Sequence, residues 1–253
     1  MLMVLDVGNT HMVLGVFQKD ELVSEWRIHT NPGITEDEFF VTISNLFSTL
    51  KISESNIKKV VISSVVPPMT RMIESFCRKY LSCTPIWIDA SKVDMPILYT
   101  NPAEVGADRI VNAVAAYHKY QTSLIVIDFG TATTFDVISD KGEYLGGAIS
   151  PGIGIAAEAL FQRASKLPRV DLIHPPESAI GKDTTASMKS GIIYGYAELV
   201  DGMVRRIKEE MKESPKVIAT GGLAPLMQHV SQSIEFVDQG LTLEGLRIIS
   251  KKL

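Results

Sequence analysis

Asp6-Val7-Gly8-Asn9-Thr10 ends a short apolar run, and this set of a carboxylate, a glycine and two polar side chains can handle phosphate. The glycine lets backbone N–H groups approach an anion closely, and Asn9 and Thr10 add donors. Asp6 suits a hydrated Mg²⁺ that bridges nucleotide phosphates. A single D-x-G-x-T also fits an ordinary hairpin turn with a capping aspartate. A second copy changes that reading: Asp128-Phe129-Gly130-Thr131-Ala132-Thr133-Thr134 is another hydroxyl-rich glycine turn, and two such turns facing each other can clamp a polyphosphate. Thr220-Gly221-Gly222-Leu223-Ala224 is a third glycine turn after a strand at 217–219, and it also reads as a plain strand-to-helix connection.

Neither a G-x-x-x-x-G-K-[ST] loop nor the protein-kinase H-R-D set is present, so phosphoryl transfer here needs another scaffold. An acceptor must then lie in line with the γ-phosphate, near a group that takes its proton. Asp108, within Glu104-Val105-Gly106-Ala107-Asp108-Arg109, is the candidate. Arg109 could contact the substrate, support developing charge or pair with Glu104. Thr184 could serve a substrate or cap the helix that follows it. His11 reads as a tolerated strand residue. Cys77 and Cys83 have no further cysteine or histidine at metal-ligand spacing, so they read as buried or incidental thiols in a reducing compartment.

The elements that must hold these residues repeat. Asp6 and Asp128 are separated by 122 positions, and each turn leads into a β-rich stretch, a polar turn and a second strand. Lys59-Val60-Val61-Ile62-Ser63-Ser64 returns as Lys216-Val217-Ile218-Ala219-Thr220-Gly221, now at an offset of 157. The larger offset places about 35 extra residues in the second half, within 150–185, a segment suited to substrate-specific structure. Helices are expected over 36–50, 69–80, 107–120, 155–166, 186–212, 226–230 and 243–251, with Phe39, Phe40 and Phe47 on a core-facing stripe. The expected organisation is an α/β chain of two related lobes, 1–118 and 119–253.

Five motifs in order, DVGNT at 6–10, GADR at 106–109, DFGTATT at 128–134, IGKDT at 180–184 and TGGLA at 220–224, resemble those of the type III pantothenate kinases over nearly the whole chain. The resemblance implies an actin-like ATPase fold of two ribonuclease H-like lobes with the nucleotide cleft between them. It implies ATP-dependent phosphorylation of pantothenate, the first step of coenzyme A synthesis. It assigns ATP contacts to Asp6, Val7, Gly8, Asn9, Thr10, His11, Met12, Val13 and Thr131, with Gly221 and Gly222 on the adenosine side. It assigns the proton-accepting role to Asp108, and pantothenate contacts to Tyr99, Gly106, Ala107, Asp108, Arg109 and Thr184. Asp128 would bind a monovalent cation, K⁺ or NH₄⁺, and a homodimer is implied. Asp183 stands where many relatives carry Asn.

Two other readings stay open from the residues: a kinase for another small metabolite on the same fold, and a non-catalytic, nucleotide-responsive regulator. The GADR motif disfavours the first, and an acceptor-side Asp108-Arg109 disfavours the second. The 25 basic and 29 acidic residues leave a net charge of −4, and no basic recognition helix is evident, so nucleic acid is not an expected partner. Apolar residues make up 45% of the chain, but no apolar run approaches the roughly 20 residues that span a bilayer. The apolar start meets Asp6 too soon for a secretion signal. A soluble, cytoplasmic protein is expected.

Overall fold

The computed structural model describes residues 1–253. An antiparallel run of β1 (Leu2–Val7), β2 (His11–Gln18) and β3 (Glu21–His29) is followed by α1 (Glu36–Thr49), β4 (Lys59–Ser64), α2 (Thr70–Tyr80) and β5 (Ile86–Trp87). After α3 (Ala107–Tyr120) the order returns as β6 (Leu124–Phe129), β7 (Ala132–Ile138), β8 (Tyr144–Pro151), α4 (Ile153–Arg163), α5 (Thr184–Met211), β9 (Lys216–Thr220), α6 (Ala224–Val230) and β10 (Phe236–Val237). α7 (Leu241–Ser250) ends the helical structure.

The two five-stranded sheets have the same topology, β3-β2-β1-β4-β5 and β8-β7-β6-β9-β10. Their register carries both sequence echoes: Leu2 pairs with Lys59 as Leu124 pairs with Lys216, and Asp6 pairs with Ser63 as Asp128 pairs with Thr220. The parallel β1–β4 and β6–β9 pairs require crossover connections, which α1 and α5 supply. The second half adds α4 and the irregular stretch 164–183 between β8 and α5, with no counterpart between β3 and α1.

By its internal contacts the chain forms two compact units. One comprises Met1–Met95, Thr100–Ala115 and Thr242–Leu253; the other comprises Pro96–Tyr99 and Ala116–Leu241. After the short excursion of Pro96–Tyr99, the chain passes into the second unit within α3 and returns to the first at the start of α7.

In the first unit both faces of the sheet are buried, which is why its inner strands read as continuous apolar runs. Met3, Leu5, Val7, Met12 and Leu14 pack against Phe39, Ile43 and Phe47 of α1 and Ile73 and Phe76 of α2. The alternate residues Val4, Phe17 and Val61 meet Val111 of α3 and Leu243, Leu246 and Ile249 of α7. Each fully buried side chain of this kind contributes about 1.5–3 kcal/mol. Phe40 packs at the edge of this core. It is half-buried and lies flat on Tyr80, ring centroids 3.8 Å apart. α7 is pinned by the buried Arg247, which donates to Glu244 on its own helix and to Asp20 at the β2–β3 turn.

The second unit's core joins Ile125, Ile127 and Phe129 to Val200 and Val204 of α5 and Met227 of α6. The buried stripe of α5 runs through Ile193, Ala197, Val200 and Val204, while Tyr196, Leu199 and Met203 are only half-buried. The tyrosine hydroxyls are used within the chain: Tyr194 donates to Pro176 O at 2.7 Å and Tyr196 to Pro151 O at 3.0 Å.

The helix starts show what sequence signals carry. Thr35 and Glu38 form a reciprocal capping box at α1, as the threonine and acidic first turn predict. α5 is capped by Asp183, whose carboxylate accepts from Ala186 N at 2.8 Å, so Thr184 is not the cap but the first helical residue. α4 begins two residues before the expected start, after Gly152, a cap with no side chain to announce it. Cys77 and Cys83 are free thiols, and burial pushes the pKa of Cys77 up to about 12. No helix is long and apolar enough to cross a membrane.

Candidate active site

In the first unit the β1–β2 turn is fixed from below. Gly8 N–H donates to His11 O at 3.1 Å, while Thr30, just beyond β3, donates its N–H to Thr10 O at 3.1 Å and its hydroxyl to Gly8 O at 2.6 Å. Two of the turn's carbonyls are thereby occupied. Across β4, Val65 N–H donates to Val7 O at 3.1 Å, and a Cβ placed on Gly106 would lie 3.7 Å from Val65 Cγ1. The Gly8–Thr10 turn and the Gly106–Arg109 segment thus meet at the same end of one sheet, around Val65.

That segment opens α3. Asp108 Oδ1 accepts the Arg109 N–H at 2.8 Å, and a Cβ on Gly106 would come within 2.5 Å of the same oxygen. The glycine leaves room for the carboxylate to fold back over it. Asp108 retains some exposure, but protein surrounds its carboxyl, and this desolvation raises its pKa above the ordinary carboxylate value. The Arg109 N–H and the Arg109 charge pull the other way and do not prevail. Arg109 itself is buried, 7% exposed, on the first turn of α3.

Along β1, Asp6 is on the side of Val4, which faces α3 and α7 rather than α1 and α2. Ser63 pairs with Asp6 on that side; it is fully buried and its hydroxyl has no hydrogen-bond partner. His11 lies against its register partner His29, rings tilted by 31° with centroids 4.9 Å apart.

The second unit brings Asp128, Gly130, Thr131, Gly152 and Gly221 together. Gly152 N–H donates to Thr131 O at 3.1 Å, which seats the start of α4 on the turn. Gly221 has φ +89°, and a Cβ there would fall 2.5 Å from Asp128 Oδ1 and 2.7 Å from Phe129 O. Gly222 is exposed, with open space at its Cβ position. Tyr99 lies elsewhere in this unit, against Tyr144 at 6.5 Å between centroids. The buried Tyr144 hydroxyl donates to Asp136 Oδ1 at 2.7 Å, and Thr134 donates to Asp136 Oδ2 at 3.2 Å. Thr184 lines a separate groove of about 610 Å³ with Gly181, Lys182, Ser187 and Met188. Thr30, Asp136 and Tyr144 escaped the reading of the sequence, since they have partners on other strands or turns and no linear motif marks them.

No group of three or more His, Cys, Asp or Glu side chains could cage a metal ion. Asp6 could hold a hydrated Mg²⁺ through its one carboxylate, since this ion usually keeps several waters. The Asp128 carboxylate and the Phe129 carbonyl both lie close to Gly221, and these two oxygens could serve a hard monovalent cation.

A sheet topology present twice, each copy headed by an aspartate and a glycine turn, defines the actin-like ATPase fold. The chain is similar over 99% of its length to a Campylobacter jejuni protein described as a Baf-family transcriptional activator (TM-score 0.64, 18% identity, 98% of that chain). It is also similar to the ROK hexokinase of Thermus thermophilus (TM-score 0.51, 13% identity, 98% and 97% of the two chains). At these identities the likeness speaks for the fold alone. The family model for type III pantothenate kinase matches residues 2–206. A type III pantothenate kinase of Desulfatibacillum aliphaticivorans is 64% identical over 98% of this chain and 97% of its own. The chain belongs to the type III pantothenate kinase family.

Proposed function

We infer that this chain transfers the γ-phosphoryl group of ATP to the primary hydroxyl of pantothenate, giving 4′-phosphopantothenate and ADP in the first step of coenzyme A biosynthesis. The observation that carries this reading is its match, along nearly the whole length, to relatives of that one activity. The site residues support it. Asp6 through Val13, Thr131, Gly221 and Gly222 take the ATP contacts, with Mg²⁺ held at Asp6 through water. Tyr99, Gly106, Ala107, Arg109 and Thr184 take pantothenate. Asp128 holds K⁺ or NH₄⁺.

Asp108 orients the hydroxyl and accepts its proton. The bond from the hydroxyl oxygen to the γ-phosphorus forms as the bond from that phosphorus to the β–γ bridging oxygen breaks. In a loose transition state the proton leaves late, when the hydroxyl has become acidic, so a carboxylate suffices as acceptor. The enzyme works in the cytoplasm as a homodimer; exposed Ile149, Ile155, Ile173 and Ile180 in the second unit give it apolar surface for a second copy.

The test is ADP production by purified protein with ATP, Mg²⁺ and K⁺, with and without pantothenate. Pantothenate should stimulate turnover and yield 4′-phosphopantothenate by mass spectrometry. Stimulation by a sugar or acetate instead, or no stimulated turnover, overturns the assignment. Replacing K⁺ by Na⁺ should lower the rate, and indifference to the swap removes the cation from Asp128.

A further inference from the structure

A basic cluster on β2 and β3 lies on the same side of the first unit's sheet as Asp6. The register puts Ser63, Asp6, Val13 and Arg27 in one cross-strand row, because Asp6 pairs with Ser63 and Val13, and Val13 pairs with Arg27. Directly paired residues share a face, and Val13 packs with the Val4 side. His11 and His29 form the next pair on that face, toward the phosphate turn. Thr30, the residue after β3, is bonded to both Gly8 and Thr10, which ties the end of β3 to the turn itself.

We propose that Arg27, beside the paired His11 and His29, is a phosphate-contact residue that grips the polyphosphate tail of the nucleotide seated on the Gly8–Thr10 turn. The inference rests on the reading of that turn as the ATP site and adds a residue to it. Two strand spacings separate Arg27 from Asp6, about 10 Å between backbones, and an extended arginine side chain covers much of that span. Arg27 is exposed and takes part in none of the fold's ion pairs. The pKa of His11 lies below the ordinary imidazole value through burial first, then His29, then Arg27, so Arg27 is near enough to act on that pair electrostatically. A triphosphate would give the guanidinium an anionic partner, and a guanidinium meets phosphate oxygens in a bidentate fork that lysine does not reproduce.

The experiment compares full-length wild type, Arg27→Gln and Arg27→Lys for equilibrium binding of adenylyl-imidodiphosphate, ADP and adenosine with Mg²⁺, and for the KM of ATP and of pantothenate. Losing a charged hydrogen bond should weaken the triphosphate analogue about ten- to a hundredfold in Arg27→Gln. ADP should lose less and adenosine nothing, the KM of pantothenate should hold, and Arg27→Lys should recover part of the loss. Thermal unfolding should be unchanged, since the side chain is exposed. Wild type that fails to bind the analogue would sink the ATP-site reading itself. Wild type that binds while both variants bind equally well, or variants that lose adenosine as much as triphosphate, overturn the role of Arg27 alone.

Discussion

Replacing Asp108 by asparagine is expected to lower turnover about 10²- to 10⁴-fold, the usual worth of general-base assistance, with ATP affinity largely intact. The same change should leave the protein as stable as before or more so at neutral pH. These two outcomes share one cause. Burial raises the folded-state pKa of Asp108 above its unfolded value, so its effect on stability is most favourable below the ordinary carboxylate range and declines as pH rises through the folded pKa. Once pH has passed the folded pKa the native state carries an ionised group that burial disfavours, and the uncharged amide removes that burden while still accepting the Arg109 N–H. Catalysis runs in the opposite direction, since only the carboxylate takes a proton. The acid limb of the wild-type kcat/KM profile should therefore fall at a higher pH than an ordinary aspartate gives. Steady-state kinetics across pH, with thermal unfolding of both proteins, reads all of this. Near-normal turnover in Asp108→Asn removes the residue from the mechanism, and a marked loss of unfolding temperature makes its role structural.

The duplication was legible because the physics that repeats is local: an apolar strand, a glycine turn, a second strand. The offsets of 122 and 157 proved to be two pairs of hydrogen-bonded neighbours, β1 with β4 and β6 with β9. Even here a difference is visible only in three dimensions. The first turn closes from Gly8 N to His11 O, the second from Gly130 N to Ala132 O, one residue tighter. Asp108 could be picked out as a carboxylate between phosphate motifs, but not the reason for Gly106, which is the space its missing side chain leaves for that carboxylate. The start of α4 was misplaced because the preceding glycine has no capping group to read. Asp136 stands in no motif of the sequence. Its buried partner Tyr144 lies on β8 and Thr134 two residues before it on β7, and such pairings depend on register.

Register also decides which glycine of Thr220-Gly221-Gly222 the fold requires, and the expected result is a sharp asymmetry. Gly221→Ala should unfold at a clearly lower temperature, whereas Gly222→Ala should stay within about 0.5 kcal/mol of wild type. Gly221 holds φ +89°, a region that costs an L-residue about 1–2 kcal/mol before any contact is counted. Its Cβ would then press on Asp128 Oδ1 at 2.5 Å and on Phe129 O at 2.7 Å. The aspartate can swing aside, but the carbonyl is backbone at the end of β6, where Phe129 pairs with Thr133 of β7 and its neighbour Asp128 pairs with Thr220 of β9, so moving it strains the sheet. At Gly222 no heavy atom lies within 4 Å of the added carbon. A chain of this size loses roughly 2–4 °C per kcal/mol, so the backbone strain alone should be measurable by calorimetry. Because the displaced carboxylate is the proposed cation ligand, Gly221→Ala should also lose discrimination between K⁺ and Na⁺ in whatever turnover it retains. If the variant is destabilised yet keeps that discrimination, Asp128 is not where the monovalent cation acts; equal unfolding temperatures for the two variants would contradict the geometry of the turn itself.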